Sequence, residues 1–532
     1  MQQAETIVFL FALVAALVLI ARKLAVPYPV LLVLGGLALS FIPRLPEVKL
    51  NPNIVFYFFL PPLIYPAALF TSWRDFRRNL RPILWLAIGL VLFTMVAIAY
   101  VAHSLNPALP WAAAFALGAI VSPPDAIAAT SVIRRLPVPH RIEAILEGES
   151  LVNDATALVA LQFAVAASMT GGFSLTNAAL RFVWAAIGGV LFGLLVGWVM
   201  RWVQRHLDDP PVQITISLLT PFLAYLPAER LHVSGVLATV VAGIYLGWYS
   251  PLTIRARTRI PLYAFWEIVS FLLNGLVFIT IGLQLPGIVN GLRGESLESL
   301  IRDALLVSGA VILVRIVWVV CATYLPRLLS KKLRARDPFP PWKEVALVAW
   351  TGMRGVISLA AAFALPFALP DGSPFPGRNY ILFLTFCVIL TTLVFQGLTL
   401  PLIIQRLGIE GDRSTDEEER SARLEANKAA IKLIEELTEK GDFSSDTVDR
   451  LRAEYDDRLQ QLQLCADSPD DCSGQIASPQ FERLQQEALN AERRTIIDLR
   501  NQHVINDTAL RRIQRDLDLA EARLTGGDTR GG

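Results

Sequence analysis

Charge is what this chain has least of. Lys, Arg, Asp and Glu make up 18% of its 532 residues, while hydrophobic residues reach 54% and mean hydropathy is +0.49. Soluble globular chains carry more charge and less apolar bulk, so the composition reads as an integral membrane protein. Cysteine is also scarce. Of four, Cys321 and Cys387 lie in apolar runs and Cys465 and Cys472 in a charged tail, which leaves no disulfide framework and no zinc spacing. The five histidines, at 103, 140, 206, 232 and 503, form no ligand pattern, so no resident metal centre is expected. No glycine loop precedes a Lys-Ser/Thr pair, so nucleotide hydrolysis has no visible engine. Neither a nucleophile nor a cofactor motif supports an enzyme, no cofactor is implied, and no nucleic-acid partner is expected. The start, Met1-Gln2-Gln3-Ala4-Glu5, lacks the positive region of a signal peptide, and the first apolar run reads as a retained span.

What the chain has in abundance is long apolar runs. A span needs roughly 20 mostly apolar residues, and thirteen candidates fit, centred on 6–22, 27–43, 52–71, 82–103, 109–132, 142–168, 180–200, 211–227, 231–249, 261–288, 299–325, 344–366 and 378–404. An odd number puts the termini on opposite sides. Lys and Arg stay on the cytoplasmic side; with the N-terminus outside, inner loops carry 20 basic residues and outer loops 7. The densest inner clusters are Arg74, Arg77, Arg78 and Arg81, then Arg327, Lys331, Lys332, Arg334 and Arg336. This predicts a plasma (inner) membrane protein with a cytoplasmic C-terminus. From Glu410 onward the chain holds 18 basic and 28 acidic residues, against 30 and 18 before it. The division is therefore a membrane domain over 1–409 and an acidic helical tail over 410–532. In that tail Val448, Leu451, Tyr455, Leu459 and Leu462 recur at helical spacing, as do Leu510, Ile513, Leu517, Ala520 and Leu524 after an Asn506-Asp507-Thr508 cap. A helical bundle, a dimer contact or a regulatory element would all fit.

Polar groups interrupt three of the apolar runs. The sixth carries Glu147-Gly148-Glu149-Ser150-Leu151-Val152-Asn153-Asp154, and acids inside a span are costly and mark ion pathways. At about 100° per residue, Glu149, Ser150, Asn153 and Asp154 share one helix face, with Asp154 near mid-membrane. Ser150, Asn153 and Asp154 offer a hydroxyl, an amide carbonyl and a carboxylate, the oxygen donors a hard cation such as Na⁺ takes. One carboxylate also binds one proton, so cation and proton would compete there. A polar cluster that merely staples helices is the competing reading.

The fifth run carries Ser122-Pro123-Pro124-Asp125, whose two prolines force the helix open. Transporters aim such broken ends at ions, so Asp125 and Ser122 join the candidate ligands. The twelfth run is broken at Thr351-Gly352-Met353-Arg354-Gly355. Arg354 keeps its charge and calls for an acid; Glu149 is the choice made here, with Asp125 and Glu147 as alternatives. Glu267 and Arg315 form a second candidate pair between the tenth and eleventh spans, with a structural role.

These strings resemble a known family. Leu117-Gly118-Ala119-Ile120-Val121-Ser122 with Asp125, Gly148-Glu149-Ser150-Leu151-Val152-Asn153-Asp154, Arg354-Gly355, Gln396-Gly397-Leu398-Thr399 and Phe59-Leu60-Pro61-Pro62 are similar to the monovalent cation:proton antiporters of the NhaP and sodium/proton-exchanger branch, over roughly residues 5–409. The tail from Arg493 to Leu524 also resembles the ending of bacterial members. The resemblance implies an all-α membrane fold of thirteen helices in two inverted repeats, unwound helices crossing at the site, and a homodimer. It places the ion on Asp154, Ser150 and Asn153 and makes Glu149 and Arg354 the structural pair. The Asn-Asp pair resembles the electroneutral branch. Two departures stand out: Pro124-Asp125-Ala126 replaces the family's Thr-Asp-Pro, and Tyr65-Pro66 stands where animal relatives carry an acid. The reading is a Na⁺ (Li⁺)/H⁺ antiporter, with K⁺/H⁺ exchange and a non-transporting cation or pH sensor as alternatives.

Overall fold

The computed structural model describes residues 2–521 apart from 25, 42–51, 134, 135, 137, 171–174, 293–295, 371, 410–413, 440–442, 468–478, 503–512, 515, 516 and 520. It divides into two compact units, Met1–Gly411 and Asp412–Gly532. The first unit is a bundle of apolar helices: α1 (Gln2–Lys23), α2 (Tyr28–Ser40), α3 (Val55–Phe70), α4 (Leu80–Leu105), then a broken pair, α5 (Trp111–Val121) and α6 (Ala126–Ile133). There follow α7 (His140–Thr170), α8 (Leu175–Arg205), α9 (Pro210–Arg230), α10 (Gly235–Thr253), α11 (Ala256–Leu283) and α12 (Leu297–Leu329). A second broken pair, α13 (Trp342–Trp350) and α14 (Val356–Phe363), precedes α15 (Arg378–Leu407). Among the described residues nine helices are long and apolar enough to cross a bilayer, and α2 and α3 are shorter apolar ones.

In a bilayer the helices gain nothing from hiding apolar surface, so they associate through close packing and buried polar contacts. Gly36 of α2 and Gly282 of α11 illustrate the packing: a Cβ on either would overlap the backbone of the other helix. The buried polar contacts concentrate around the broken pairs, which are packed in the interior. Ala113, Ala114, Ala116, Leu117 and Val121 of α5 are fully shielded, as are Leu359, Ala360 and Ala362 of α14. The outward surface is the reverse. Leu180, Trp184, Ile187, Leu191, Leu195, Trp198 and Trp202 of α8 are all more than half exposed, at steps of three and four, an apolar stripe suited to lipid.

The second unit contains α16 (Ser414–Glu439), α17 (Ser445–Asp467) and α18 (Pro479–Asn501). The first two pack as a hairpin, with Arg452 of α17 3.0 Å from Glu435 of α16. Arg493 of α18 reaches Asp518 at 2.8 Å and Glu521 at 2.6 Å. The Asn506-Asp507-Thr508 cap and most of the helix expected after it lie outside the described residues.

Candidate functional site

Pro123 and Pro124 remove two amide donors, and α5 stops at Val121, two residues before them. Chain resumes helical geometry only at Ala126. The two breaks then meet: the Asp125 amide donates to the Met353 carbonyl at 2.7 Å, joining the unwound stretch after α5 to the one after α13. Asp125 also caps α6, its Oδ1 accepting from the Ile127 amide at 2.8 Å, where the helix dipole favours a negative group. Its other oxygen lies against Gly355, so close that a Cβ there would overlap Oδ2.

Helix α7 ties itself to this crossing from the side. The Asn153 amide nitrogen donates to the Pro124 carbonyl at 2.9 Å; that carbonyl is one the proline break freed. The Ser150 hydroxyl accepts from the Ala126 amide at 3.4 Å. Asn153 Oδ1 is buried and has no hydrogen-bond partner among the described residues. Asp154 is 6% exposed and, among the described residues, makes neither a hydrogen bond nor an ion pair. It sits instead on the wall of a cavity of about 870 Å³, together with Asp125, Ser150, Glu147, Glu267 and Ser358. Arg22 is the one basic residue in that wall. The sequence-predicted ligands therefore divide: Asp154, Asp125 and Ser150 face the cavity, Asn153 is buried beside it, and Ser122 does not line it. Ser122 is fully shielded and spends its hydroxyl on the Ala119 carbonyl at 2.8 Å, as serines in apolar helices commonly do.

The ion pairs differ from both sequence expectations. Glu149 is held by Arg315, not Arg354: Arg315 Nη1 lies 2.6 Å from Oε1 and Nη2 3.0 Å from Oε2, a two-pronged pair with both side chains 1% exposed or less. Arg315 also donates to the Val348 carbonyl in the last turn of α13, at 3.2 and 3.3 Å. Glu267 is consequently not its partner. It is exposed to the cavity and forms no ion pair among the described residues. Arg354 has no carboxylate within bonding distance among the described residues; the breaks supply carbonyls to two of its nitrogens, and its Nη2 stays buried without a partner there. It donates to Val121, the last residue of α5, at 3.0 Å and to Gly352 in the unwound stretch after α13. The first is the negative end of a half-helix, where a fixed cation is favourable. Both arginines crowd Gly352, where an added Cβ would overlap each of them.

Two further residues complete the frame. A π-helical turn, Thr392–Gln396, interrupts α15 and brings two side chains to the second break. Thr392 accepts from the Arg354 amide at 3.1 Å, and the Gln396 amide donates to the Trp350 carbonyl at 2.9 Å. Gln396 belongs to a motif legible in the sequence, whereas Thr392 was missed; a polar residue four positions before Gln396 in an apolar run was the available signal. If Gly355 holds Asp125 in place, Gly355→Ala should reduce exchange roughly tenfold to a hundredfold, the scale of an ångström-sized displacement at a reacting group. Rates per folded protein in everted vesicles test this, and a wild-type rate at normal expression would refute it.

The chain is similar to known proteins over most of its length. Residues 9–406 match the sodium/hydrogen exchanger transmembrane family. An uncharacterized Na⁺/H⁺ exchanger of Mycobacterium tuberculosis is 37% identical over 527 residues, 97% of this chain and 96% of its own. The sodium, potassium, lithium and rubidium/H⁺ antiporter of Bacillus subtilis is 34% identical over 451 residues, 82% of this chain and 66% of its own. Among solved structures, the sodium proton antiporter MjNhaP1 of Methanocaldococcus jannaschii superposes with a TM-score of 0.61, covering 76% of this chain and 99% of that one at 20% identity, which shows the fold. The chain is a multi-pass membrane protein and belongs to the sodium/hydrogen exchanger family.

Proposed function

We propose that the protein exchanges one Na⁺ or Li⁺ for one proton at Asp154, electroneutrally and by alternating access. The observation that carries this is the state of Asp154: a mid-helix carboxylate on a cavity wall, without a bonding partner among the described residues, next in the chain to Asn153, whose Oδ1 is likewise unpartnered there. A carboxylate so placed is stable only when something neutralises it, and either a proton or a monovalent cation does so with the same net charge. The loaded site can turn between faces in both forms. The empty, charged site cannot, and that blocks leak. Asn153, an amide, takes no proton, which limits the stoichiometry to one. Ser150 and Asn153 Oδ1 add ligands, and Asp125 adds negative potential at the α6 terminus.

The cavity wall includes Arg22 and Phe70, at the ends of α1 and α3, and Tyr263, near the start of α11. By the distribution of basic residues that end is cytoplasmic, so this conformation is read as inward-facing. The protein is placed in the plasma membrane as a homodimer, N-terminus outside, with 410–532 as a cytoplasmic regulatory or dimer-stabilising tail. Everted vesicles carrying a pH gradient test the core claim. Addition of Na⁺ or Li⁺ should collapse the gradient without generating a membrane potential; no response to any alkali cation would reject it. Under one-for-one competition the apparent KM for Na⁺ should rise about tenfold for each unit of acidification once protons occupy the site. Potassium is the second reading, favoured by the similarity to the sodium, potassium, lithium and rubidium/H⁺ antiporter of Bacillus subtilis, and an equal response to K⁺ would select it.

A further inference from the structure

A second, smaller cavity of about 80 Å³ lies apart from the ion site, between the starts of α4 and α7, the end of α12 and the face of α13. Five charged groups line it: Arg81, Arg141, Arg327, Asp337 and Glu344. Three of them are committed to one another. Arg327 Nη2 lies 2.5 Å from Asp337 Oδ2, and its other nitrogens donate to the Asp337 and Thr323 carbonyls. Arg141 Nη2 reaches Asp337 Oδ1 at 3.3 Å and its Nε donates to Asn79. Glu344 makes no ion pair among the described residues and stands beyond salt-bridge distance of Arg81.

Arg81 is the exception. Its guanidinium has no hydrogen-bond or ion-pair partner among the described residues, and its Nη1 is buried. A buried, charged N–H without an acceptor is expensive, and a guanidinium fork fits the oxygens of a phosphate better than any single point acceptor. The surroundings fit such a ligand. Arg74, Arg77 and Arg78 are exposed on the preceding short helix, Trp73–Arg78, and Trp85, which lines the same cavity, is 44% exposed on the outer surface. Tryptophan marks the headgroup level of a bilayer, and basic pockets between spans at the cytoplasmic face take anionic headgroups.

We propose that Arg81, with Arg141 beside it, binds the phosphate of an anionic phospholipid in this cavity. The occupant would brace α4 and α7 against α13, whose Val345 and Val348 form part of the wall. The Val348 carbonyl is the one Arg315 holds, so the bound phosphate steadies the helix that leads into the second break.

Thermal unfolding of the full-length protein tests this without relying on transport. Reconstituted in phosphatidylcholine with increasing phosphatidylglycerol, the wild type should gain stability saturably. Arg81→Gln should raise the lipid fraction needed for half of the gain roughly tenfold or more, as loss of a charged hydrogen bond implies. Arg81→Lys should recover part of it, and Arg78→Gln, an equal charge change on an exposed residue, should leave it intact. If inorganic phosphate in pure phosphatidylcholine reproduces the gain and Arg81→Gln removes it, the cavity holds phosphate and the source is soluble. Equal lipid dependence in wild type and Arg81→Gln, or equal loss in Arg78→Gln, would overturn the site and leave only diffuse surface charge.

Discussion

Asp154→Asn should reduce exchange of every alkali cation to background while the protein still inserts and folds. The substitution keeps shape and volume and removes the group proposed to carry both proton and cation. Because Asp154 holds no structural bond among the described residues, stability should change little and, if anything, rise, since the buried charge is gone. The measurement is paired: vesicle exchange for Na⁺, Li⁺ and K⁺, and the unfolding temperature of the purified variant. Retained exchange would remove Asp154 from the ion path, and loss of folded protein would mean that the residue is structural.

Glu149→Ala should behave in the opposite way, depleting folded protein first and transport only as a consequence. Arg315 would be left fully buried, with its guanidinium facing an apolar gap. Breaking one side of a buried pair costs about 3–5 kcal/mol, a large part of the stability of a typical domain. The double replacement Glu149→Leu with Arg315→Met removes both charges and should restore most of the yield, because apolar pairs of similar volume often match buried ion pairs in stability. Glu149→Ala with Arg354→Met should give no such rescue, since Arg354 bonds to carbonyls rather than to Glu149. A normal unfolding temperature in Glu149→Ala would rule out the pairing as a source of stability. Rescue by Arg354→Met instead of Arg315→Met would restore the pair first expected from the sequence.

Those two arginines show where sequence reading stopped. Arg315 and Arg354 were both recognisable as charges inside apolar runs, and Glu149 and Glu267 as the acids available to them. Helical spacing says which residues share a face of one helix but nothing about which face of another helix it meets. Glu149 lies 166 positions from Arg315 and 205 from Arg354, and either distance is compatible with contact. Ser122 failed for a related reason: a hydroxyl next to a break is a plausible ligand only where its oxygen meets the cavity, and Ser122 is fully shielded and lies off the cavity wall. That Asp154 is a buried acid, by contrast, was legible from depth and company alone, because it lies about four turns inside a membrane helix, where an acid is costly.

The residues themselves determined that the chain lies in a membrane as apolar helices, that two spans must open at Pro123-Pro124 and at Gly352 to Gly355, and that a carboxylate sits mid-span beside oxygen donors. Composition, proline geometry and the cost of buried charge act locally, so they can be read along one chain. Only the tertiary structure decided which arginine neutralises Glu149, that Arg354 serves carbonyls of both breaks, and that Asp154, among the described residues, stays buried without an ion pair against a cavity. Those outcomes depend on distances and directions between helices, and in close-packed interiors a rotation of one helix face exchanges one partner for another without changing a single letter of the sequence.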